Sequence, residues 1–183
     1  METKPEILDT RLVAKSRLFG IESVHLRFSN GEEREFERLR TPPIAGVMCV
    51  PMLDNDTVVL IREYGAGVED YQLTLPKGAY EHGEDWRDAA NRELKEEAGY
   101  GARTLTHLKD MTLSPGYMGH TIRIALAEDL YEETLPGDEP EPLERSEERR
   151  SSGYCRPVHG EITAERALKK RESITCHVSG FYT

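Results

Sequence analysis

Cysteine is scarce in this sequence, and the three present, Cys49, Cys155 and Cys176, form no Cys-x-x-Cys pair. An odd and scattered set argues against a disulfide framework and fits a reducing compartment. The sequence also lacks an apolar run of membrane-spanning length, and its N-terminal residues lack the basic-then-apolar order of a secretory signal. We therefore expect a soluble cytoplasmic protein, with Cys49 in the core because it lies in an apolar run.

Positive charge is in the minority, with 24 Lys and Arg against 34 Asp and Glu and a formal net charge of −10. Proteins that bind mainly to nucleic-acid backbones normally carry the opposite sign, so no nucleic-acid partner is expected. The acidic excess does not exclude a nucleotide substrate, because a bound divalent cation can invert the local charge.

The first half of the sequence has the alternation typical of half-buried strands. Val24, Leu26 and Phe28 alternate with polar residues, and Asn30-Gly31 predicts a hairpin turn into a strand through Phe36. We predict a second hairpin between residues 45–53 and 57–64, and further strands at 71–75, 105–113 and 121–128.

The clearest predicted helix follows Asp85, a favourable N-cap residue, and ends at Gly99. Its apolar residues recur at every fourth position, which gives one ridge to pack on a sheet: Trp86, Ala90, Leu94 and Ala98. Several strands around one well-marked helix predict an α+β fold.

Three carboxylates, Glu93, Glu96 and Glu97, crowd the C-terminal end of this helix, where they oppose its dipole at a cost of about 0.3–1 kcal/mol each. A solvated acidic face is the simpler explanation of these residues alone. A magnesium site would also explain them, because Mg²⁺ takes oxygen ligands and usually one or two protein carboxylates.

The surroundings favour the second explanation. The segment from Gly78 to Tyr100 resembles the Nudix box, with a glycine, a glutamate six residues on at Glu84, and then Arg-Glu-apolar-x-Glu-Glu-x-Gly-apolar. Every fixed position is filled. The resemblance implies a Nudix α/β/α sandwich with a mixed sheet and, here, an N-terminal antiparallel hairpin extension.

The resemblance also implies roles for residues of the box. Glu93 and Glu97 match the principal metal ligands, and Glu96 matches an auxiliary ligand or water-activating position. Arg92 matches the arginine that holds these carboxylates, and Lys77 precedes the box where relatives offer a backbone carbonyl to the metal. The implied cofactor is Mg²⁺, with Mn²⁺ as an alternative.

Outside the box, the sequence resembles one branch of the family, the bacterial ADP compounds hydrolases, in residues 16–19, 28–31, 60–64 and 137–142. That branch is dimeric and releases AMP from ADP-ribose, diadenosine triphosphate and NADH. The resemblance thus implies a magnesium-dependent pyrophosphatase that acts as a homodimer on a small nucleotide, with no membrane partner. The alternatives are a Nudix hydrolase of another nucleoside polyphosphate and a non-catalytic ADP-ribose-binding module.

Related ADP-ribose hydrolases take their general base from a late acidic loop, which Glu139 and Glu141 would occupy here, with the choice between them open. Arginine matches the geometry of phosphate oxygens, so Arg34, Arg38 and Arg62 are candidate diphosphate contacts or, equally, surface charges. Two tyrosines allow two interpretations, adenine stacking or core packing: Tyr64 and Tyr71.

We divide the sequence into an N-terminal β-hairpin extension (1–42), a Nudix core (43–142) and a polar tail (143–183). The tail lacks the apolar strand and amphipathic helix expected of the family, apart from a thin apolar stripe that allows a short helix over 163–172. Disorder or loose attachment is one explanation. A shift of the reading frame near Leu143 is another.

Overall fold

A computed structural model of the chain describes residues 3–40 and 46–149, in which ten strands and one helix are present. This confirms the predicted α+β class. The chain divides into two compact units, residues 1–45 with 110–122 and residues 46–109 with 123–183. The elements are β1 (Glu6–Lys15), β2 (Gly20–Arg27), β3 (Glu33–Arg40), β4 (Gly46–Pro51), β5 (Thr57–Gly65), β6 (Asp70–Thr74), β7 (Lys77–Ala79), α1 (Trp86–Glu97), β8 (Tyr100–Thr112), β9 (Thr121–Glu132) and β10 (Glu144–Arg149).

The first unit contains an antiparallel sheet in the order β1-β2-β3. The predicted hairpin joins β2 to β3, and its turn places Gly31 at a φ of 86°, which glycine adopts without strain. Strand β1 was not predicted, because register shifts between Ile7 and Asp9 and between Leu12 and Ala14 break the alternation of its apolar residues.

The second unit packs α1 against strands of two sheets, ordered β7-β4-β9-β8 and β10-β5-β6. The predicted ridge of the helix is buried through Ala90, Leu94 and Ala98. One cluster joins the last two of these to Val59 and Ile61 of β5. A second joins the helix to β4 and includes Cys49, which confirms its place in the core.

The predicted hairpin of β4 and β5 is wrong, because the two strands belong to different sheets. Only beyond the end of β4 does the chain pair with β5, through the isolated bridge Met52–Val58 and a hydrogen bond of 2.9 Å from the Leu53 N–H to the Thr57 carbonyl. Pro51, the last residue of β4, has no N–H to continue a ladder. The Asp54 carboxylate then accepts the backbone N–H groups of Asp56 and Thr57, both at 2.7 Å, so the predicted turn itself is present.

Strand β10 lies at the start of the predicted polar tail and pairs with β5 along its full length. Its sequence is entirely polar, and the strand is largely exposed, so no hydrophobic period could reveal it. Arg145 donates a hydrogen bond of 3.1 Å to the Ala98 carbonyl at the end of α1. The remaining tail, with Cys155, Cys176 and the helix predicted over 163–172, lies outside the described residues.

Within the described residues, no helix combines the length and hydropathy needed to cross a membrane.

Candidate active site

The site is organised by the two ends of α1. Asp85 caps the first turn, where its carboxylate accepts the Arg87 N–H at 2.9 Å. After the last turn, Gly99 has a φ of 68°, the left-handed conformation that ends many helices. Both boundaries agree with the sequence-based prediction. They set where the helix begins and ends, and therefore where its acidic last turns lie.

Arg92 connects these acidic turns to the loop before the helix. Its Nε and Nη2 donate to both carboxylate oxygens of Glu84, at 3.0 and 3.1 Å. Its Nη1 donates to Glu93 at 2.7 Å and to Glu96 at 3.0 Å, and Nη2 also reaches the Ala79 carbonyl at 2.9 Å. Every N–H of the guanidinium is thus engaged within the protein, as expected for a residue that holds carboxylates in place.

Glu93 is buried, with a relative exposure of 8%, although it is charged. Burial raises the pKa of its carboxyl group, and the bonded Arg92 opposes that rise. Strand β7 passes so close that a Cβ atom on Gly78 would overlap the Glu93 carboxylate. Glycine at the start of the box is therefore required by this contact.

Glu97 lies beside the same strand, and its carboxylate accepts the backbone N–H of Lys77 at 2.7 Å. The Lys77 ammonium group forms an ion pair with Glu63 of β5. Burial raises the pKa of Glu97 to about 8, and the negative charges of Glu93 and Glu63 act in the same direction. Lys77, predicted from its position before the box, is thus adjacent to a predicted metal ligand.

These carboxylates fit a hard divalent cation. Glu93 is buried and Glu97 half-buried, and the loss of hydration that raises their pKa values shows that the nearby positive groups do not fully compensate their negative charge. Within residues 3–40 and 46–149, no three acidic, histidine or cysteine side chains already converge as a complete cluster.

A cavity of about 250 Å³ separates the helix end from the loop of residues 137–142, which we call the acidic loop. Its lining carries six carboxylates, three from the helix and three from the loop: Glu93, Glu96, Glu97, Asp138, Glu139 and Glu141. The structure therefore brings both predicted bases to the same cavity as the predicted metal ligands.

The two predicted bases have different surroundings. Loss of hydration, followed by the charges of Glu63 and Asp138, raises the pKa of Glu139, against the opposing Lys77 ammonium group. Glu141 instead accepts a hydrogen bond of 2.5 Å from the Tyr71 hydroxyl on β6.

The three arginines that were predicted to contact the diphosphate form ion pairs with glutamates of the protein. Arg34 lies on β3, where it pairs with Glu32 at 2.8 Å, and Arg38 of the same strand pairs with Glu22 at 3.0 Å. Arg62 lies on β5 and faces Glu144 of β10 at 3.6 Å. Contact with a diphosphate would require each to exchange a carboxylate partner for the substrate.

The tyrosines are partly exposed, which rules out the interpretation that they belong to the core. Tyr64 and Tyr71 pack edge to face with centroids 5.4 Å apart and retain exposures of 50% and 44%. Sequence analysis missed the hydrogen bond from Tyr71 to Glu141 and the pair of Lys77 with Glu63. Nothing in the sequence signals either contact, because each joins residues far apart in the chain on different elements.

Comparisons with known proteins identify relatives of this chain. The sequence model of the NudE-type Nudix hydrolase N-terminal domain matches residues 5–38, and that of the NUDIX domain matches residues 42–168. The ADP compounds hydrolase NudE of Escherichia coli (strain K12) is 52% identical over 140 residues, which cover 76% of this chain and 75% of the relative.

An ADP-ribose pyrophosphatase of Bacillus subtilis (strain 168) is 30% identical over 175 residues, 91% of this chain and 85% of the relative. Among solved structures, a crystal structure of an ADP compounds hydrolase matches with a TM-score of 0.75 and 48% identity, over 81% of this chain and 80% of that one.

Proposed function

The chain belongs to the Nudix hydrolase family, with an N-terminal domain of the NudE type, and we propose that it hydrolyses the pyrophosphate bond of ADP-X compounds. The proposed substrates are ADP-ribose, diadenosine triphosphate and NADH. Water attacks one phosphorus, a new P–O bond forms, and the bridging P–O bond breaks to leave AMP and phosphorylated X. The activities after which the similar proteins are named, ADP compounds hydrolase and ADP-ribose pyrophosphatase, support this substrate class.

One observation carries the proposal, namely a buried glutamate, Glu93, and a half-buried one, Glu97, in a cavity that is lined by further carboxylates. A site made only of carboxylates repels a diphosphate, so its use as an active site requires a cation. Mg²⁺, or Mn²⁺ in its place, would be held by Glu93 and Glu97 with Glu96 and the Lys77 carbonyl nearby, and would neutralise phosphate charge and acidify water.

The protein's own groups supply the rest of the chemistry. Arg92 fixes Glu93 and Glu96 so that their oxygens do not reorganise when substrate binds. A carboxylate of the acidic loop, Glu139 or Glu141, accepts the proton that water loses on attack. Arg34, Arg38 and Arg62 are the proposed contacts to the phosphate oxygens, by exchange of their present carboxylate partners.

Product analysis tests the proposed reaction. The purified protein is incubated with Mg²⁺ and ADP-ribose, NADH, diadenosine triphosphate or dATP in parallel, and the nucleotides are separated by chromatography. We expect AMP from the three ADP-X compounds and little turnover of dATP. A strong preference for dATP would contradict the substrate assignment, and binding of ADP-ribose without AMP release would identify a non-catalytic module.

The metal assignment is tested with Glu97→Gln, which keeps the side-chain shape but removes the negative charge. We expect turnover to fall by about 100-fold, or roughly 2.7 kcal/mol in transition-state stabilisation, together with weaker Mg²⁺ binding by calorimetry. The matched control is Glu128→Gln, an exposed position on β9. Unchanged turnover and Mg²⁺ affinity in Glu97→Gln would overturn the assignment.

We further propose that the protein is a homodimer in the cytoplasm. The first unit exposes several large apolar side chains, on its sheet and in the connection between β1 and β2, which a second copy could cover: Ile7, Leu12, Val13, Leu18, Phe19 and Phe36. Light scattering after size exclusion should give twice the monomer mass. A strictly monomeric species at all concentrations would exclude the dimer. A buried free thiol at Cys49 and the scarcity of cysteine support a reducing compartment.

A further inference from the structure

We propose that Tyr71 is a positioning residue that anchors the acidic loop through Glu141, and that Glu139 is the carboxylate this loop offers to the reacting water. The inference deepens the proposed function and rests on it for its catalytic meaning. It assigns different tasks to two glutamates that the sequence alone makes equivalent.

The hydrogen bond from Tyr71 is the direct contact. The phenol O–H donates to Glu141 Oε1 at 2.5 Å, across 70 positions in the sequence. Tyr71 is itself held on β6, which pairs with β5 over five residues of each strand, including Tyr64 opposite Tyr71. The ring of Tyr64 packs edge to face on that of Tyr71. The anchor therefore sits on a rigid element, while the group it holds sits on a loop.

Two prolines of the acidic loop make the position of Glu139 depend on that of Glu141. Pro140 separates Glu139 from Glu141, and Pro142 follows Glu141 directly. Each proline fixes its own φ near −65° and restricts the residue before it, so both glutamates have restricted backbones. Because few torsions between them are free, fixing the Glu141 side chain also limits where Glu139 lies.

The hydrogen bond also bears on which glutamate accepts the proton. One oxygen of Glu141 already accepts the tyrosine hydroxyl, so that oxygen is not free to receive the reacting water. No hydrogen bond to the Glu139 carboxylate is found among the described contacts, and the Lys77–Glu63 ion pair is in electrostatic range. Glu139 is thus the carboxylate of the pair with its oxygens available to water.

Substitutions at Glu139 and Glu141 separate an anchor from a base. If Glu141 is an anchor, Glu141→Ala loses about 10-fold in kcat, and Glu141→Gln loses less than Glu141→Ala because the amide oxygen still accepts the tyrosine hydroxyl. Glu139→Gln should lose at least about 100-fold, the usual contribution of a general base. An equally large loss in Glu141→Gln would make Glu141 the base and overturn the assignment.

The role of Tyr71 is tested by Tyr71→Phe, with Tyr64→Phe as the matched control that removes a neighbouring hydroxyl. We expect Tyr71→Phe to lower kcat about 10-fold with KM nearly unchanged, and Tyr64→Phe to behave as the wild type. Because Tyr71 acts through Glu141, the double variant Tyr71→Phe/Glu141→Ala should be no slower than Glu141→Ala alone. Additive losses, or full activity in Tyr71→Phe, would refute the proposal.

A measurement without turnover distinguishes this inference from the proposed function. Limited proteolysis with an enzyme that cuts before aspartate reports opening of the loop at Gly137–Asp138. We expect cleavage to be several-fold faster in Tyr71→Phe than in the wild type or Tyr64→Phe. Equal cleavage rates in all three proteins would refute the anchoring role of Tyr71, even if AMP is formed. Faster cleavage of Tyr71→Phe in a protein that forms no AMP would refute only the proposed hydrolysis.

Discussion

Arg92 joins the loop before α1 to the acidic turns of the helix, with hydrogen bonds to three glutamates and one backbone carbonyl. Its side chain is only 20% exposed, so these bonds are partly shielded from water. Lysine carries the same charge but lacks the planar fork that bonds two carboxylate oxygens at once.

We expect Arg92→Lys to lower the free energy of unfolding by about 2 kcal/mol, since it leaves partly buried carboxylates without partners. The kcat should fall as well, because Glu93 and Glu96 lose their fixed orientation. Denaturant titration and steady-state kinetics measure both effects. Arg87→Lys is the control on the same helix, where the arginine is largely exposed, and an equal effect of the two substitutions would contradict the role of Arg92.

Glu97 makes the stability of the metal-free protein dependent on pH. Burial raises its pKa from an ordinary 4.5 to about 8, so folding favours the protonated carboxyl group. This contribution is fully present below pH 4.5 and is lost as pH rises through 8. Between pH 6 and pH 8 the loss is on the order of 2 kcal/mol.

In the presence of a chelator, the melting temperature should therefore fall by several degrees between pH 6 and pH 8. Addition of Mg²⁺ should restore more stability at pH 8 than at pH 6, because the ion competes with the proton. Glu97→Gln isolates the effect, since the amide does not titrate. A chelated wild type with the same pH dependence as Glu97→Gln would contradict the prediction.

Single residues of the site could be predicted where they belong to one continuous segment. Glu93, Glu97 and Arg92 lie within two turns of one helix, so their spacing alone places them together. The partners of Glu141 and Lys77 could not be predicted, because Tyr71 and Glu63 reach them only after the strands have paired. Residues on different elements meet through tertiary packing, which leaves no local trace in the sequence.

At the level of secondary structure, the contact of β7 with α1 depends on Gly78. A methyl group there would overlap the Glu93 carboxylate, so either the strand or the glutamate must move. We expect Gly78→Ala to reduce kcat by about 100-fold and to cost 1–3 kcal/mol in stability, roughly the range for overpacked sites.

Melting curves and kinetics of Gly78→Ala test this contact. Gly67→Ala is the control, because a Cβ atom at that position meets open space. Normal activity in Gly78→Ala would show that Glu93 tolerates displacement, and would weaken its assignment as a metal ligand.

Whole elements were predicted with uneven success, for physical reasons. The sequence of helix α1 contains an N-cap residue, an apolar repeat of four residues and a C-terminal glycine. The structure has the N-cap and the helix end where these signals predict them. The β4–β5 hairpin was wrong because adjacent strands need not pair, and Pro51 ends the first ladder. Strand β10 carries no apolar alternation, since its pairing with β5 rests on backbone hydrogen bonds.

For the whole chain, the proposed division at residue 142 can be tested by truncation. A chain that ends at Arg149 retains β10, whereas one that ends at Leu143 loses the β10–β5 ladder and the Arg145 bond to Ala98. We expect the melting temperature of the second truncation to lie about 5 °C or more below that of the first. Equal melting temperatures would show that β10 adds no stability.

The loss of apolar periodicity after Leu143 motivates our proposal of a shifted reading frame, although the β10–β5 ladder begins directly after that residue. Sequencing of the coding DNA tests it, because the alternative frame should encode an apolar strand and an amphipathic helix. An intact frame that encodes the same tail in close relatives would exclude the shift.

The acidic cavity also has a kinetic consequence for the molecule as a whole. Six carboxylates line it, and the chain carries a net charge of −10, so a polyanionic substrate approaches against a repulsive field. Added monovalent salt screens that field over about 10 Å at 0.1 M. At limiting Mg²⁺, substrate association in stopped-flow measurements should therefore become faster as KCl rises, the reverse of the salt response of a cationic phosphate-binding cleft.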